Sequence, residues 1–70
     1  MSLYSSMSKI VATLNESKEM QISKIINAVN GDPAMVLDAL AWLLKFRLIE
    51  YNQRKEVMRL SKELERLHAV

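Results

Sequence analysis

The chain has 70 residues, half of them apolar, with one glycine, one proline and no cysteine. That composition suits a single globular domain (residues 1–70) with a marginal core, and it excludes disulfides and thiolate metal sites. The net charge of +2 is unevenly placed: residues 1–44 carry three lysines against four carboxylates, and residues 45–70 carry seven cations against four. A basic second half suits a polyanionic partner as well as a solvated mixed-charge surface.

Leu3, Met7, Ile10, Val11 and Leu14 recur at helical spacing and predict a first helix over Tyr4–Glu16, with serines 5, 6 and 8 as candidate caps. The short alternating run Glu19-Met20-Gln21-Ile22 reads as a stub of strand. Ser23 is placed to cap a second helix that carries Ile25, Ile26 and Val29 on one face. Asn30-Gly31-Asp32-Pro33 is a turn signal. Gly31 suits a positive φ after the second helix, Asp32 an N-cap, and Pro33 the first position of a third helix.

The third helix is expected over Pro33–Phe46. At about 100° per residue, Val36, Leu37, Ala39, Leu40, Leu43 and Leu44 fill one broad side. Met35, Trp42 and Phe46 lie at one margin, and Ala34, Asp38, Ala41 and Lys45 form the outward strip. Leu48–Asn52 and Glu56–Leu60 alternate as strands around a polar tip, Gln53-Arg54-Lys55. Ser61 caps a short last helix with Glu63 and Glu65 early and Arg66 and His68 late, an order that complements the helix dipole.

The predicted order is helix, strand stub, helix, turn, helix, hairpin, helix: a mostly α fold with a small β-hairpin. It resembles the winged helix-turn-helix family in Ile22-Ser23-Lys24-Ile25-Ile26, the turn at Asn30-Gly31-Asp32, Val36 to Leu44, Leu48-Ile49-Glu50-Tyr51 and Met58-Arg59-Leu60-Ser61. The run Ala39-Leu40-Ala41-Trp42-Leu43 is most similar to small prokaryotic winged-helix proteins of unassigned role. The family usually has glycine between its third helix and first wing strand, where this chain has Arg47.

The resemblance implies a DNA-binding protein in transcription regulation, with double-stranded DNA as partner. It further implies a third helix in the major groove and a wing tip on the phosphate backbone. On that expectation Arg54 and Lys55 contact phosphate, supported by Arg59, Arg47, Lys45 and Lys24. The outward strip of the third helix argues the other way. Base reading needs Arg, Lys, Asn or Gln with reach, and the strip offers two alanines, one lysine and an aspartate. DNA binding is therefore expected to have weak sequence specificity and to run mainly through the wing; the alternative is a protein-interaction or dimerisation module on the same fold, using the apolar third helix or the first and last helices.

Leu3, Met7, Ile10 and Leu14 repeat at the spacing of a coiled-coil seam, and Leu60, Leu64 and Leu67 repeat similarly around the last helix. These stripes either pack within one chain or pair two chains, and a homodimer is the expectation. His68 is the single histidine, no glycine-rich phosphate loop exists, and no apolar run reaches the ~20 residues of a membrane span. No enzyme activity, cofactor, metal, signal peptide or membrane association is expected, and with no cysteine the expected location is cytoplasmic.

Overall fold

The computed structural model describes residues 2–68, with side chains described through Leu67. In chain order it comprises α1 (Leu3–Ser17), β1 (Glu19–Met20), α2 (Ile22–Val29), α3 (Pro33–Lys45), β2 (Ile49–Asn52), β3 (Val57–Leu60) and α4 (Lys62–His68). The molecule is mostly helical with one small antiparallel sheet. None of its described helices is long and apolar enough to cross a membrane.

Local chemistry sets most helix starts. The Ser2 hydroxyl accepts from the Ser5 amide at 3.1 Å and opens α1, one residue earlier than the spacing predicts. Asp32 Oδ1 accepts from the Ala34 amide at 3.1 Å, and Pro33 follows in the first turn of α3. Ser61 Oγ accepts from the Leu64 amide at 3.2 Å and caps α4. Only α2 departs from this pattern. Ser23 lies inside it, and its N-cap is Gln21, which makes no side-chain capping bond. The role read for the His68 side chain lies outside the described side chains.

Helix ends depend on backbone conformation. The residue in the left-handed region after α2 is Asn30, with φ 55°, and not Gly31; asparagine tolerates that region because its short polar side chain bonds locally. At the end of α3 the Leu48 amide donates to the Leu43 carbonyl and the Arg47 amide to the Leu44 carbonyl. This pair of bonds is a Schellman closure, with Arg47 at φ 59° in the position glycine usually takes. The helix therefore ends at Lys45, one residue before the expected Phe46, and the strand that follows starts at Ile49.

The sheet order is β1-β3-β2. Within it Ile49 faces Leu60, Glu50 faces Arg59, Tyr51 faces Met58 and Asn52 faces Val57, while Glu19 and Met20 face Arg59 and Met58 from the other side. The core lies between this sheet and the helices. Ile10 and Leu14 from α1 meet Ile25 and Val29 from α2, and Val36, Ala39, Leu40 and Leu43 from α3. Ile49, Met58 and Leu60 close it from the sheet side.

Three of the residues on these stripes are therefore core, including Leu60, which ends β3. Ile10 and Leu14 are fully buried inside the chain. Leu3, Met7 and Leu64 pack partly against that core, and Leu67 alone of the seven is well exposed. The stripe on α1 packs against the rest of the same chain, fully at Ile10 and Leu14 and partly at Leu3 and Met7.

Candidate interaction surface

The hairpin tip is built by Asn52. Its Oδ1 accepts from the amides of Arg54 and Lys55, at 3.0 and 3.2 Å, and holds the turn that carries both cations. Glu56 completes the turn at φ 57°. Arg54 is exposed at the apex. Lys55 is turned back instead: its Nζ lies 3.4 Å from Glu19 Oε1 on β1.

Arg59 is committed in the same way. It sits on the middle strand, facing Glu19 on one side and Glu50 on the other, with Nε 3.5 Å from Glu50 Oε1. The outer face of the sheet is thus a ladder of alternating charge. Two of the six cations proposed for phosphate contact are already opposed by carboxylates.

The remaining cations are dispersed. Lys24 is exposed in the first turn of α2. Arg47 is exposed at the closure of α3. Lys45 lies over the Trp42 ring, with Nζ 4.9 Å from its centroid, a cation–π contact. Asp38 occupies the middle of the outward strip of α3, and Asp32 stands at its N-terminus.

The outer side of α3 is more apolar than its sequence indicates. Leu37 and Leu44 are 49% and 41% exposed, so they are not part of the buried side. They form one margin of the outward strip. On the other margin Trp42 and Phe46 stack, with ring centroids 5.5 Å apart and planes 17° from parallel, and are 37% and 58% exposed. Ala34 and Ala41 lie between these ridges, and Asp38 and Lys45 are the only charges along the helix. Large apolar side chains bordering small ones make a surface suited to receiving another element.

No family model matches the chain, and no curated protein matches it. Among the described residues, no three histidine, aspartate or glutamate side chains stand where they could hold a metal ion. Exposure of Leu37 and Leu44 is the feature that sequence reasoning missed. Periodicity marks α3 as apolar nearly all round, and only the packed neighbours decide which part is covered.

Proposed function

We propose that this chain is a winged helix-turn-helix domain acting as a protein-interaction module, with the outer side of α3 as the docking surface. The fold reading is supported by the element order and by the sheet order β1-β3-β2, which joins the strand before α2 to the hairpin after α3. The functional reading is carried by one observation: the outward side of α3 exposes Leu37, Trp42, Leu44 and Phe46 around two alanines. Aromatic and leucine side chains on a rigid helix make anchors for a protein partner. They do not make base contacts, which need polar groups with reach.

A second reading is DNA contact by the hairpin, as a transcription regulator of low sequence specificity. It is favoured by Arg54, exposed at an ordered tip with no carboxylate at ion-pair distance among the described residues. Phosphate contact through Arg54, aided by Lys24 and Arg47, would weaken steeply as salt rises.

Amide chemical shifts during titration with duplex DNA at low and raised salt separate the two readings. The docking reading predicts that α3 amides stay in place at every salt concentration, and that any response is confined to the hairpin tip and vanishes with salt. Shifts along α3 that persist in salt and differ between DNA sequences would overturn it.

A further inference from the structure

Two charges lie in the middle of the exposed side of α3. Asp38 and Lys45 stand seven residues apart, about 10 Å along the helix axis, between the Leu37–Leu44 margin and the Trp42–Phe46 margin. Neither has an ion-pair partner among the described residues. Lys45 Nζ rests 4.9 Å from the centroid of the Trp42 ring.

Whatever covers both margins takes these two charges out of water. Burying a charge with no opposite charge beside it is strongly destabilising. The occupant therefore carries a cation opposite Asp38 and an anion opposite Lys45. Such pairs give selectivity more than affinity, because a wrong sign at either place is rejected.

Spacing decides what kind of element fits. Along the strip the order is Ala34, Asp38, Ala41, Lys45, at intervals of four, three and four residues, and all four are exposed. A helix laid along α3 repeats its facing side chains at the same intervals. It can set a leucine over each alanine and a charge over each charge. An extended strand presents a facing side chain every ~6.6 Å and falls out of step with that order.

The helix dipole decides direction. An antiparallel helix meets Lys45 with its N-terminal half and Asp38 with its C-terminal half. Its anion then comes early and its cation late, the order its own dipole favours. A parallel helix needs the cation early and the anion late, which its dipole opposes.

We propose that the occupant of the α3 surface is an amphipathic helix of another protein, lying antiparallel to α3, with an anion, an apolar residue, a cation and an apolar residue at positions i, i+4, i+7 and i+11. This rests on the reading of α3 as a docking surface and adds the chemistry and direction of its partner.

Trp42 is the single tryptophan and lines the surface, so its fluorescence reports occupation. The probe is a stapled helical peptide without tryptophan, carrying Glu, Leu, Lys and Leu at those four positions. A second peptide has the Glu and Lys exchanged. The full chain should bind the first at least about fivefold more tightly than the second. The double variant Asp38→Asn with Lys45→Gln changes two exposed positions and should keep the far-ultraviolet circular dichroism of the parent. It should bring the two affinities within about twofold of each other. A nitroxide at the N-terminus of the first peptide should broaden amide signals near Lys45 and spare those near Ala34. Equal affinity of the parent chain for both peptides would overturn the proposal and leave α3 to a different occupant, as would broadening at Ala34. A preference that survives in the double variant, or binding of neither peptide, would overturn it too. A Trp42 response to duplex DNA and to neither peptide would overturn it together with the docking reading.

Discussion

Lys55 and Glu19 are 36 residues apart in sequence and 3.4 Å apart in space, and their ion pair ties the hairpin tip to β1. The contact exists because β3 pairs with both β2 and β1, which brings the start of the sheet beneath the turn. It also sets a carboxylate against one of the two adjacent tip cations. Both side chains are well exposed, so the pair is worth little to stability. Glu19→Gln should shift the unfolding free energy by less than ~1 kcal/mol in a urea titration. The same change frees Lys55, so any salt-sensitive affinity for duplex DNA should rise. A loss of DNA affinity would contradict the role of Glu19 as a brake on the tip.

Residues of the leucine-rich stripe should separate sharply on truncation. Ile10→Ala opens a cavity in a fully buried position and should cost about 2–5 kcal/mol. A domain this small has a stability of only about that order, so the variant should be largely unfolded at room temperature by circular dichroism. Leu67→Ala, at an exposed position on α4, should stay within ~0.5 kcal/mol of the parent. Similar costs at both positions would contradict the division between core and surface.

Arg47 holds a positive φ of 59° without being glycine. The left-handed region costs a non-glycine residue roughly 1–2 kcal/mol, partly offset by the greater backbone freedom that glycine loses on folding. Arg47→Gly should therefore raise stability by about 0.5–1 kcal/mol. Arg47→Val, β-branched at the same φ, should lower it. Thermal unfolding of the two variants reads both signs, and destabilisation by glycine would mean that contacts of the arginine side chain outweigh the strain.

How far the sequence could be read follows from the range of each interaction. Asp32-Pro33 and Ser61 announce helix starts because a cap is made by the residue itself within three positions. The hairpin was legible because alternation in Glu50, Tyr51, Met58 and Arg59 reflects the two faces of a strand. Asn30 and Gly31 are adjacent and both tolerate positive φ, so the choice between them depends on where packing of Val29 ends the helix. The exposure of Leu37 and Leu44, the burial of Ile10 and Leu14, and the Lys55–Glu19 pair are all tertiary. Each depends on which element lies alongside, and spacing along one helix carries no record of that.

The docking role of α3 is tested most directly by photo-crosslinking in cells, with a photoreactive residue placed at Leu37, at Leu44 or, as a control on α1, at Lys9. All three positions are exposed. The account predicts that Leu37 and Leu44 both trap the same discrete protein species and that Lys9 does not. Trapping of nucleic acid at Leu37 and Leu44, with no protein adduct at either, would contradict it.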